Sequence, residues 1–127
     1  EKGAWVLNTG TLPYRGTSAG GGYTTVRDLL RFATALTSNR LLDAAHTALM
    51  TTGKVETPGG GKYAYGFAQS VEGGTRSFGH SGGAPGMNGD LRIFPDSGFV
   101  VAALAHTGSG ASQAVSWVSE RLPIAPR

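Results

Sequence analysis

The run Gly79-His80-Ser81-Gly82-Gly83-Ala84-Pro85-Gly86 constrains this chain more than any other segment. Glycine and proline at this density cannot propagate a helix, because proline removes a backbone donor and glycine adds backbone entropy. Two chemistries fit the residues. As G-x-S-x-G, the segment is a nucleophile elbow with Ser81 as the attacking hydroxyl, in a self-contained α/β-hydrolase-type esterase. As H-x-G at a strand end, His80-Ser81-Gly82 is one wall of an active site whose nucleophile lies elsewhere. An elbow needs a helix directly after its serine. Ala84-Pro85-Gly86-Met87-Asn88-Gly89 follows instead. Asp96 and His106 stand in the order acid then histidine, but both are crowded around one short hairpin. The second alternative is the better supported.

Composition narrows the rest. The 127 residues suit one domain or part of a larger one. The 21 glycines far exceed the usual share of about 7%. They are aperiodic and cluster at 20–22, 59–61, 73–74 and 79–89, as expected for turns and close backbone approaches. Eleven Lys+Arg against eight Asp+Glu give a net charge of +3. The arginines are dispersed, with no basic run or aromatic-studded basic strand, so the charge reads as solvated surface and no nucleic-acid partner is expected. Without cysteine, disulfides and Cys-based zinc sites are excluded, and the redox compartment stays open. No apolar run is long enough to span a membrane. Glu1-Lys2-Gly3-Ala4-Trp5 has no signal-peptide character.

Residues 1–61 read as a turn-rich lead-in, carrying Gly10, Pro13, Gly16 and Gly20 to Gly22, followed by two helices. Val26, Leu29, Leu30, Phe32, Ala33 and Leu36 give an apolar face at helical spacing over 25–37, with Thr25 as N-cap and Asp28 reaching back to it. A second helix is expected over 41–50. Residues 62–127 change to strand character. Strands are expected over 63–71 and 75–80, joined by Glu72-Gly73-Gly74, and over 90–94 and 99–105, joined by the Pro95–Gly98 turn. The apolar run Phe99–Ala105 predicts a central strand covered on both faces. A closing helix is expected over 112–122, with Val115, Val118 and Leu122 inward and Pro123 stopping it. The order predicts a single partial α+β domain, an antiparallel sheet flanked by helices.

These pieces resemble a known family when taken in order. Ala19-Gly20-Gly21, Tyr23-Thr24-Thr25 and Asp28-Leu29-Leu30-Arg31-Phe32 are similar to the turn and helix of serine β-lactamase-related proteins. That group includes class C β-lactamases, D-alanyl-D-alanine carboxypeptidases and β-lactamase-like esterases. Tyr63-Ala64-Tyr65-Gly66-Phe67 is similar to the strand that begins their final sheet section. Gly79 to Gly83, Pro85-Gly86 and Phe94 to Gly98 resemble their third active-site motif and the hairpin after it. The resemblance runs from about residue 12 to 122 and implies the C-terminal part of the β-lactamase/transpeptidase-like fold. It implies a serine hydrolase working through an acyl-enzyme, without cofactor or metal, on a β-lactam, a D-Ala-type peptide or a small ester.

The chain departs from the family at two points. No serine here has lysine three positions on, so S-x-x-K is missing. Tyr14, Tyr23, Tyr63 and Tyr65 all lack Asn or Ser two positions on, so the second motif is missing too. The expectation is therefore a C-terminal portion, inactive alone, whose partner is the N-terminal portion of the same fold or a second copy. A non-catalytic binding or assembly module is the competing class. The resemblance implies that the Gly83 N–H is one oxyanion-hole donor, worth about 3 kcal/mol to a tetrahedral intermediate. It further implies that Gly82 permits close approach, Ser81 binds a polar substrate group, and His80 tunes neighbouring protons. His106-Thr107-Gly108 also spells H-x-G but reads as a connection from strand to helix. His46 reads as surface, Asp28 as a cap, Trp117 as interior packing or a lid contact, and Tyr65 and Phe67 as core or cleft wall.

Overall fold

A computed structural model describes residues 3–11 and 16–124. Pro13 and Tyr14 of the lead-in lie outside the described residues. After a short 3-10 turn at Thr9–Thr11 come helices α1 (Val26–Thr37) and α2 (Ala44–Thr51). Six strands follow: β1 (Val55–Glu56), β2 (Lys62–Tyr63), β3 (Ala68–Glu72), β4 (Thr75–Ala84), β5 (Met87–Phe94) and β6 (Phe99–Ala105). Helix α3 (Gly110–Ser119) closes the order. The strands form one antiparallel sheet in sequence order, β1-β2-β3-β4-β5-β6. The fold is α+β, as the alternation of patterns predicts.

Thr25 caps α1 as expected. Its hydroxyl oxygen accepts the Asp28 N–H at 3.2 Å, and its O–H donates to the Asp28 carboxylate at 2.8 Å. With Arg31 also bonded, these contacts hold the exposed Asp28 carboxyl below its ordinary range, the Thr25 bond being the largest cause. Helix α2 starts later than its apolar spacing suggests. Asp43 is its N-cap, accepting the His46 N–H at 2.8 Å, so Leu41 and Leu42 precede the helix. The side-chain cap outranks the apolar stripe, because the first-turn amides need an acceptor whichever residues face inward.

Three strand expectations are corrected. The segment 63–71 is a hairpin rather than one strand: Gly66 sits at φ +81°, and the Ala64 N–H bonds the Phe67 carbonyl at 2.8 Å. Strands β4 and β5 run further into the glycine cluster than expected, with Gly82 opposite Gly89 and Gly83 opposite Asn88. Those glycines belong to a ladder, and only Pro85-Gly86 forms the turn. Strand β6 is an edge strand. Its apolar run reflects helices α1 and α3 packing against it, while Phe99 and Leu104 keep 36% and 43% of their surface.

The alternation of β-strand side chains divides the sheet. Leu91 and Ile93 of β5 lie on one face with Val100 and Ala102 of β6. That face joins Ala33 and Leu36 of α1, with Ala64, Phe67 and Phe78, in the main core. Phe67 and Phe78 meet edge-to-face at 5.5 Å. Asn88, Asp90 and Arg92 take the opposite face, where α3 packs with Ala111 and Val115 buried. Val118 is exposed and Leu122 only half-buried, so the inward stripe of the closing helix is narrower than expected. Trp117 is exposed rather than interior, its ring 4.2 Å from the Arg121 guanidinium.

Gly79 marks the closest approach of β4 to β5. A Cβ there would collide with the Leu91 carbonyl oxygen and stand 3.1 Å from the Arg92 Cα. Both are backbone atoms that cannot yield without breaking the ladder. Gly79→Ala is expected to cost about 2 kcal/mol or more. Gly59→Ala, where a Cβ meets open space, should stay within about 0.5 kcal/mol. Urea midpoints of the two variants check this.

Candidate active site

Two tight turns set the hydrogen-bond phase of β4. Gly73 and Gly74, at φ +56° and +80°, join Glu72 to Thr75 in a two-residue hairpin of the type that matches strand twist. The residues flanking such a loop exchange both backbone bonds, and pairs alternate from there. Thr75, Ser77 and Gly79 therefore turn their N–H and C=O groups to β3. The Pro85-Gly86 turn fixes the phase again from the far end: Ala84 pairs with Met87 and, in alternation, Gly82 with Gly89 and His80 with Leu91. Both turns agree that the amides of Ser81 and Gly83 point to the β3 side. Strand β3 pairs with β4 only as far as Ala68 opposite Gly79. The N–H groups of Ser81 and Gly83 thus project beyond the end of β3.

Both residues are exposed and line a cleft of about 590 Å³. Its opposite wall includes Ala19 to Gly22, so two segments far apart in sequence meet across one opening. The N-terminal segment braces the strand tip. The Asn8 side-chain amide donates to the Pro85 carbonyl at 3.1 Å, and Trp5 packs 5.3 Å from the His106 ring. His106 lies in the connection between β6 and α3, as expected, and His46 is a surface residue bonded to Asp43.

His80 has a partner that the sequence did not reveal. Its Nε2 lies 2.9 Å from the Tyr63 hydroxyl, and its Nδ1 lies 2.6 Å from the Ser81 carbonyl oxygen. A carbonyl can only accept, so Nδ1 carries a proton. In the neutral ring Nε2 is then an acceptor, and the Tyr63 O–H donates to it. Tyr63 stands in β2, two strands away, and its pairing with Ala68 could not be read without the 64–67 turn. Tyr65, expected in the core or cleft wall, is instead exposed, with the Lys54 ammonium 5.9 Å from its ring centroid. Phe67 is core.

Asp90 is the second residue missed. It pairs with Ser81 across the ladder and is buried on the α3 face. Desolvation pushes its carboxyl above the ordinary range, opposed by the Arg92 charge, a Ser112 hydrogen bond and the His80 charge. No period or motif marks it, because an acid in a strand facing a helix looks like any exposed acid in sequence.

The family model for Beta-lactamase matches residues 1–122. The chain belongs to the beta-lactamase family. Among solved structures, the penicillin binding protein from Bacillus halodurans superposes with a TM-score of 0.85 at 29% identity, over 96% of this chain and 37% of its own. The D-stereospecific amidohydrolase from Streptomyces sp. gives 0.62 at 29%, over 78% and 30%. The octameric penicillin-binding protein homologue from Pyrococcus abyssi gives 0.75 at 22%, over 84% and 25%, and supports the fold. No curated protein matches. The chain spans about a third of the length of these structures or less. It is a member of a serine hydrolase family with the β-lactamase/transpeptidase fold. The elbow alternative fails on geometry: Ser81 sits within β4, and a turn and two more strands separate it from the next helix.

Two outcomes follow from the site. Because the folded-state value of Asp90 is raised, its contribution to stability is present below the ordinary carboxylate range and lost as pH rises through the raised value. Asp90→Asn is therefore expected to melt higher than the unsubstituted chain at about pH 7, with the gap closing towards about pH 3. A gap independent of pH would contradict the assignment. Tyr63→Phe should leave Nδ1 protonated and remove the donor to Nε2, shifting the Nε2 resonance in ¹⁵N spectra of the imidazole while Nδ1 stays in place.

Proposed function

We propose that this chain forms the third-motif wall of a serine hydrolase that acts through an acyl-enzyme. The Gly83 N–H is one oxyanion donor, Ser81 and Gly82 border the substrate, and His80 orders hydrogen bonds at the rim. The substrate is a β-lactam, a D-amino-acid peptide or a small ester, the class common to the family and its amidohydrolase neighbour. The nucleophilic serine and its lysine come from the N-terminal portion of the same fold.

One observation carries this reading: the Gly83 amide is turned away from its ladder partner and towards an open cleft. An oxyanion donor must be free of other acceptors and aimed where charge develops. A side chain at position 83 would stand 3.0 Å from the Met87 carbonyl oxygen and 3.6 Å from that of Gly108, so glycine keeps the strand slim there. The need for a partner is supported by apolar surface. Val26, Leu30 and Phe32 of α1 keep 38 to 41% of their surface, and Trp5, Val6 and Leu7 are more exposed still. Large apolar side chains left exposed in this number support an association surface.

Labelling with a penicillin reporter or a fluorophosphonate tests the proposal. The chain alone is expected to remain unlabelled. Mixed with an N-terminal portion bearing Ser-x-x-Lys, labelling should occur on that serine. Stoichiometric acylation of Ser81 in the isolated chain would falsify the assignment. Sedimentation of the mixture should show a 1:1 complex, and a monodisperse monomer indifferent to the partner would favour an independent module.

A further inference from the structure

The proposed donor raises a structural question: what holds the Gly82–Gly83 peptide so that its N–H faces outward? Backbone pairing on the β3 side has already ended there, so the peptide is held from the β5 side alone, where Gly82 pairs with Gly89 in the ladder. A buried side chain adds a second hold on the same peptide. Asn88 lies opposite Gly83 in β5 and is buried to 8% exposure. Its Nδ2 donates to the Gly82 carbonyl at 2.9 Å and approaches the Ser112 hydroxyl at 3.3 Å. Its Oδ1 accepts the Ser112 N–H at 2.8 Å.

The carbonyl of Gly82 and the N–H of Gly83 belong to one peptide unit and point in opposite directions, because the bond is planar and trans. Anchoring that carbonyl towards β5 and α3 aims the Gly83 N–H the other way, past the end of β3. The Asn88 amide cannot serve equally well flipped. Its oxygen would then face the Gly82 carbonyl, and its NH₂ group would face the Ser112 N–H. The first turn of α3 thus fixes which end of the amide points at Gly82. Ser109, the residue at the N-cap of α3, makes no side-chain cap bond, so Asn88 supplies that acceptor from the sheet. The contact is also close at Gly83 itself, where a Cβ would stand 3.4 Å from Asn88 Nδ2. A hydrogen bond donated to a peptide carbonyl further polarises the N–H of the same unit.

We propose that Asn88 is a positioning residue for the oxyanion donor, a clamp that locks the Gly82–Gly83 peptide and takes its own orientation from α3. The proposal rests on the reading of Gly83 as that donor. Its first test needs no substrate. In the unsubstituted chain, a scalar coupling across the hydrogen bond from Asn88 Nδ2 to the Gly82 carbonyl carbon is expected, and its absence would overturn the clamp. Asn88→Asp then separates the two roles of the side chain. It keeps an acceptor for the Ser112 N–H but has no donor for Gly82. The Gly83 amide order parameter should fall below the rigid value of about 0.85, with Ser112 exchange protection retained. Loss at neither site, or loss at both together, would overturn the proposal, the latter because Asn88 would then only hold α3.

The catalytic sense of the clamp is read in the chain reassembled with its serine-bearing portion. There Asn88→Asp should lower kcat by about 100-fold with KM little changed. Unchanged kcat despite a freed Gly83 amide would overturn the oxyanion role of Gly83 and leave the coupling intact. The two failures are thereby told apart.

Discussion

The hydrogen-bond phase of β4 is the constraint on which the rest of the molecule depends. Two-residue turns at both ends of the strand set it independently, Gly73-Gly74 against β3 and Pro85-Gly86 against β5. Because the strand period is two, a slip of one residue would exchange the roles of odd and even positions. Phe78 would leave the core, Ser77 would enter it, and the outward amides would become those of His80 and Gly82. The tight fit at Gly79, where the β5 backbone leaves no room for a Cβ, belongs to the same register. The open edge beyond Gly79 exists because the Tyr65-Gly66 turn takes the chain off to β2 before β3 can extend further.

The two faces of the sheet do different work. The α1 side is an apolar core, closed by the Phe67–Phe78 contact and the half-buried Leu29, Leu42 and Met50. The α3 side is polar at the level of the motif, with Asn88 and Asp90 both buried there. Hydrophobic packing is non-directional and sets stability. A buried polar side chain is costly unless its partners stand in fixed directions. Placing Asn88 behind the Gly82–Gly83 peptide therefore gives up some packing energy for orientation, at the place where orientation matters for the proposed chemistry.

Much of this was legible in the sequence, and the parts that were not share a physical cause. The Thr25 cap, the Glu72–Thr75 hairpin, the Phe94–Gly98 turn and the H-x-G segment were readable because each is local, written in a few adjacent residues. Strand β6 was recognised as a strand but misplaced to the centre, since an apolar run reports cover on two faces and not the number of hydrogen-bonded neighbours. The glycines at 82, 83 and 89 looked like loop because glycine signals permission for unusual backbone without requiring it. Tyr63, Asp90 and Asn88 went unnoticed because the partners that define them, His80, Gly82 and Ser112, stand 6 to 24 positions away in the chain. An asparagine three residues past a proline looks like turn chemistry until the ladder shows that it faces a helix.

The same distinction between local and distant bears on how a site can be built when its nucleophile lies in another segment. Two oxyanion donors must converge on one oxygen, and under the proposed reading they come from separately folded stretches. Convergence then requires each donor to be aimed before the two meet, since a peptide free to turn would lose much of its electrostatic value. Here the aim of the Gly83 N–H is set wholly by groups within the chain: the β4 phase, the early end of β3, and the Asn88 bonds to Gly82 and Ser112. Nothing from outside these residues is needed to orient it. What a second segment would add is the attacking group and the other donor, together with cover for the exposed apolar side chains of α1.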